Sequence, residues 1–111
     1  MSKRSDEQLI EEALTHLGIL RERLSRGDLA DQIVADAVSM RLAAAIDALH
    51  HGEPLLGERL FLSDWRKIWG TRNYLAHGYA IVDIQMIAET VQNDLPEFER
   101  VLREELGRSR R

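Results

Sequence analysis

Leu9, Ile10, Ala13, Leu14, Leu17, Leu20 and Leu24 recur every three or four positions, while Glu11, Glu12, Arg21, Glu22 and Arg23 occupy most of the places between. That period is a helix with one face in a core. Ser5 with Gln8 three residues on has the spacing of a capping box, so this first helix is predicted to start there and run to about Ser25, with Gly18 a mild interruption. Arg26-Gly27 makes a tight link, and Asp28 stands ready to cap a second helix reaching about His50. Its core side reads Leu29, Ile33, Val34, Ala37, Leu42, Ala45, Ile46 and Leu49, and Ala43, Ala44 and Ala48 leave room for a close neighbour. Short links favour antiparallel neighbours. The run from His51 to Glu58 carries two glycines and a proline and is predicted as a loop.

A third helix starts at Ser63 or just before it. On it Phe61, Leu62, Trp65, Ile68, Trp69, Leu75 and Ala76 share one broad apolar arc, and Arg72 projects from the middle. An unpaired buried guanidinium is costly, so Arg72 either meets a carboxylate, with Asp36 and Asp47 of the second helix as candidates, or lines a surface that receives an anion. Asn73 and His77 are four apart and share one edge of the arc. Gly78 is the usual kind of helix-ending residue, which leaves His77 in the last turn and Tyr79 just beyond. The run from Tyr79 to Val82 is partly β-branched, but a lone strand would have no partner. Asp83 is instead predicted to cap a fourth helix through about Asn93, with Ile84, Ile87, Ala88 and Val91 as its face. Asp94-Leu95-Pro96-Glu97 reads as a cap, a first-turn proline and an acid, opening a last helix to about Leu106. The expected fold is all-α, an antiparallel bundle of four long helices plus a shorter C-terminal one.

Composition narrows this without changing it. The chain of 111 residues is expected to be a single domain over 1–111, with residues 107–111 a flexible basic tail. It has no cysteine, and its four histidines are not spaced as a metal set; His50 and His51 are adjacent and point to different sides of any helix. No apolar run approaches the roughly 20 residues of a membrane span and no signal-peptide pattern opens the chain, so a soluble, cytoplasmic protein is expected. The formal net charge of −4 argues against a protein that grips nucleic acid through its overall field.

An arginine, an amide, a histidine and a tyrosine within eight residues suit a reaction on a phosphodiester. Arg72 can hold non-bridging oxygens and stabilise charge in the transition state, and His77 can move a proton at a 2′-hydroxyl or a leaving 5′-oxygen. No metal and no cofactor is called for by that route. A second acid or base is lacking unless two copies of the motif face each other across a two-fold axis. The plainer alternative is that His77 is a capping or surface residue and Arg72 a structural ion pair. Trp65 and Trp69 suit a core or an interface better than a base-stacking platform.

Arg72-Asn73-Tyr74-Leu75-Ala76-His77-Gly78-Tyr79 matches the Arg-x-x-x-x-His-x-Tyr motif of HEPN-domain proteins, and the chain resembles the HepT branch, the toxins of bacterial and archaeal toxin–antitoxin pairs. Trp65 to Ile68, Asp83 and Asp94-Leu95-Pro96 sit where that family's helices begin and end, so the resemblance covers nearly the whole chain. It implies a metal-independent endoribonuclease acting as a homodimer, with Arg72 and His77 of both subunits converging on RNA and Asn73 shaping the site. It also implies a partner, an MntA-like nucleotidyltransferase antitoxin that transfers AMP from ATP to Tyr79 and so adds charge and bulk where phosphate binds. Two rivals stand beside it: a non-catalytic helical module that binds a nucleotide or protein, and an accessory subunit of the nucleotidyltransferase.

Overall fold

A computed structural model of the chain describes residues 4–51, 56–77 and 83–110, and all regular structure among them is helical. Helix α1 (Asp6–Ser25) opens on the capping box read from the sequence: Gln8 N donates to Ser5 Oγ at 3.1 Å, and Ser5 N to Gln8 Oε1 at 2.8 Å. Its apolar stripe, Leu9, Ile10, Ala13, Leu17 and Leu20, is buried.

Helix α2 (Gln32–Ala48) begins later than predicted, because Asp28 caps only a preceding turn by accepting from Ala30 N at 2.8 Å. Asp31 is the true N-cap, accepting from Ile33 N at 2.9 Å. Val38, Leu42, Ala45, Ile46 and Leu49 then face α1 and form much of the core. Ile33, expected on that face, is 79% exposed. It stands nine positions before Leu42, about half a turn around the helix, and so points to the other side.

Part of the predicted loop is helical. Helix α3 (Leu56–Phe61) buries Leu56, and Gly57 N donates to Leu49 O at 2.9 Å, which ties the segment to the end of α2. A Cβ on Gly57 would stand 2.5 Å from atoms of the Trp65 indole, so only glycine permits this approach. The expected breakers Gly52 and Pro54 lie outside the described residues. A 3₁₀ turn, Leu62–Asp64, leads into α4 (Trp65–Ala76). Leu62 has φ 53° and is 75% exposed, so it leaves the apolar arc assigned to it. Ala76 is exposed too. Trp65 is buried, and its ring stacks on those of Phe61 and Trp69.

Asp83 caps α5 (Ile84–Glu89) as predicted, accepting from Met86 N at 3.1 Å. The predicted break before the last helix is absent. A π-helical turn, Thr90–Asp94, joins α5 directly to α6 (Leu95–Ser109), and Asp94 makes no side-chain cap. Pro96 has no N–H to offer the carbonyl four residues back, at Gln92, and in a regular α-helix its ring would crowd that carbonyl; the wide π turn lies there and relieves the misfit. α6 packs on α1, where Glu99 meets Arg21 and Arg110 Nε donates to Glu7 Oε1 at 2.9 Å. The stretch from Gly107, expected as a tail, is helical as far as Ser109. Among the described residues no helix is long and apolar enough to cross a membrane.

Candidate active site

The end of α2 and the middle of α4 pack together, and their polar residues meet there. Trp69 is half-buried and carries two neighbours: the His50 ring stacks on it at 4.1 Å and 15°, and the Arg72 guanidinium carbon lies 4.7 Å from its centre. Arg72 Nη2 stands 3.1 Å from Asp47 Oδ1, and Nη1 donates to Asn73 Oδ1 at 3.2 Å. Of the two acids named as candidate partners, packing therefore selects Asp47; Asp36 accepts instead from the Gln32 side chain at 2.8 Å.

The Arg72 side chain keeps 29% of its surface open to solvent, and that of Asp47 keeps 43%. A partly solvated ion pair contributes on the order of 0–1 kcal/mol and a cation–π contact about 0.5–1 kcal/mol, so this arrangement orients the guanidinium more than it stabilises the bundle. Guanidinium N–H donors beyond those facing Asp47 and Asn73 remain for an anion.

His77 is the C-cap of α4, with φ −84° and ψ 15°, and is exposed. Five positions separate it from Arg72, about 7.5 Å along the helix axis and roughly 140° around it. The fold thus brings Arg72 and Asn73 into contact and leaves His77 at the helix end. Tyr79 and Gly78 lie outside the described residues. The other tyrosine, Tyr74, accepts from Asp83 N at 3.4 Å, which ties the start of α5 to α4. Among the described residues no three His, Asp or Glu side chains gather as a metal site.

A family model described as ribonuclease HepT-like matches residues 10–105, from the first turns of α1 into α6. The chain belongs to the HepT-like ribonuclease family. No curated protein and no solved structure matches it. The HepT-like region contains Arg72, Asn73, His77 and Tyr79, and RNA is the substrate class that membership supports.

In this HepT-like chain the residues after α2 bring to Trp69 and Asp47, the neighbours of Arg72, two groups that periodicity did not assign to the site. His50 stacks on Trp69, and His51 Nε2 lies 3.8 Å from the second oxygen of Asp47. The signal was present in part, since Asp47 and His51 are four apart and fall on one helical face. Periodicity within α2 could not show that α4 would bring Arg72 to that same face.

Proposed function

We infer that this chain is the toxin of a toxin–antitoxin pair: a single-domain, antiparallel HEPN-like bundle that cleaves RNA without a metal and is silenced by transfer of AMP to Tyr79. The observation that carries the reading is the half-open Arg72, oriented by Asp47, Asn73 and Trp69 on the helix that ends at His77. Arg72 holds the scissile phosphate and meets the charge that grows on its oxygens. His77 moves a proton at the reacting oxygens, and Asn73 shapes the site by holding Nη1 of Arg72.

The toxin acts as a cytoplasmic homodimer. Ile33 and Met40 support self-association, because both are large, apolar and exposed on α2, the helix that also carries Asp47. The antitoxin is an MntA-like nucleotidyltransferase. Tyr79 suits it as acceptor better than Tyr74, whose hydroxyl is engaged with Asp83. An AMP group two residues beyond His77 brings a negative phosphodiester and a nucleoside into the space RNA needs.

Incubating the purified chain with RNA in EDTA and analysing the new ends tests this directly. Ends carrying 2′,3′-cyclic phosphate and 5′-hydroxyl are expected; an absolute need for Mg²⁺ would count against the mechanism. Treatment with the nucleotidyltransferase, ATP and Mg²⁺ should then add one or more AMP units at Tyr79 and stop cleavage. Tyr79→Phe should keep much of the activity and escape silencing.

A further inference from the structure

Cleavage by the 2′-oxygen needs two proton movements, one off the attacking oxygen and one onto the leaving 5′-oxygen. The motif supplies a single imidazole, His77. The last residues after α2 supply two more, and the structure separates their parts. His50 is half-buried, stacked on Trp69, with Nδ1 buried and without a hydrogen-bond partner, which marks it as a packed ring. His51 is open, with 55% of its side chain exposed. Its Nε2 lies 3.8 Å from Asp47 Oδ2, while Arg72 Nη2 lies 3.1 Å from Asp47 Oδ1. One carboxylate therefore stands between an imidazole from the segment after α2 and a guanidinium from α4.

We propose that His51 is a second catalytic proton-transfer residue of the RNA-cleaving site, set beside Arg72 by the carboxylate of Asp47. This rests on the ribonuclease reading above and deepens it. RNA phosphate held by Arg72 lies next to the His51 ring. His77 takes the proton of the 2′-hydroxyl, and that oxygen's electron pair forms the new bond to phosphorus. The P–O5′ bond breaks, its pair stays on the leaving oxygen, and that oxygen takes a proton from His51. The products are a 2′,3′-cyclic phosphate and a 5′-hydroxyl; His77 returns its proton to water and His51 regains one from water, so no further reactant is consumed.

Asp47 is well placed for this part. It gives a counter-charge to an imidazolium at His51 through one oxygen while the other stays on Arg72, whose remaining donors take the phosphate. Among the described residues, the charged and titratable groups around His51 are Asp47 and His50 from its own segment, the latter edge-on at 6.3 Å, and Arg72 across Asp47 from α4. In a paired site, each half would then bring two imidazoles.

The test uses the full chain and two substrates, a short RNA and uridine 3′-(4-nitrophenyl phosphate), whose nitrophenolate departs without a proton. Wild type, His51→Gln, His51→Asn and His77→Gln are compared across pH, with circular dichroism to verify the fold. The expected result is that both His51 variants lose about 100- to 10,000-fold on RNA, lose one limb of the pH–rate profile, and recover most of the wild-type rate on the nitrophenyl ester. His77→Gln should stay slow on both substrates. His51 variants that cut RNA at the wild-type rate with an unchanged profile, or that are equally slow on the ester, would overturn the inference alone. A wild-type chain that cuts neither substrate would overturn the ribonuclease reading and this inference with it.

Discussion

Arg72 is the residue on which the proposed chemistry depends most. Its contacts to Asp47, Asn73 and Trp69 are of the modest kind that fix direction, so its removal should cost chemistry far more than stability. Arg72→Ala and His77→Ala are each expected to slow RNA cleavage by roughly 100- to 1000-fold, the usual loss of one transition-state contact, with helicity unchanged by circular dichroism. In urea unfolding Arg72→Ala should lose only about 0.5–2 kcal/mol, the sum of a partly solvated pair and a cation–π contact. Collapse of the bundle in that variant would mean that Arg72 is a structural ion pair. That Arg72 needed a partner was legible in the sequence, because a guanidinium on an apolar arc cannot stay alone. Which acid it meets was not, since Asp36 and Asp47 both lie on α2 and only the packing of α4 chooses between them. The same packing hid His51, whose part depends on where α2 stops.

Elements set where these residues stand, and the joints are the sensitive places. Gly57 lies against the Trp65 indole with no room for a methyl group, so Gly57→Ala should destabilise the chain by about 1–3 kcal/mol in urea unfolding, through overpacking at the entry to α4. Leu62→Gly should be neutral or stabilising by up to about 1 kcal/mol, because the left-handed backbone at φ 53° strains a leucine that is mostly exposed. Along α6, hydrogen bonds from Arg100 hold the Glu97 carboxyl below its usual range. A carboxyl lowered in this way contributes stability above its unfolded pKa and loses it as pH falls through the folded value. Glu97→Gln should therefore flatten the acid side of the stability–pH curve slightly, as thermal melts between neutral and acid pH would show. The face of α1 and the caps Ser5 and Asp83 were legible because periodicity and local hydrogen bonding agree there. The start of α2 was misplaced because Asp28 and Asp31 are equally good local caps. The union of α5 with α6 was hidden because a proline after an aspartate reads the same at a helix start and beyond a π turn. Helix α3 was missed because its glycine serves an approach to Trp65 that lies eight residues away in the chain.

At the scale of the molecule, a net charge of −4 offers RNA no favourable overall field, so the proposed site depends on local contacts around Arg72. Pairing of two chains would gather two such sites. Sedimentation at micromolar concentration should show a dimer, and Met40→Asp on the exposed side of α2 should shift it towards monomer while leaving helicity intact. A wild-type monomer that still cuts RNA would remove the paired site. The central claim is that the Arg72 and His77 constellation breaks RNA. The most direct measurement is a side-by-side cleavage assay in EDTA of wild type, Arg72→Ala and His77→Ala, each verified as folded. Wild type is expected to leave 2′,3′-cyclic phosphate ends and both variants to lose about two to three orders of magnitude in rate; folded variants that cut as fast as wild type would contradict the proposed site.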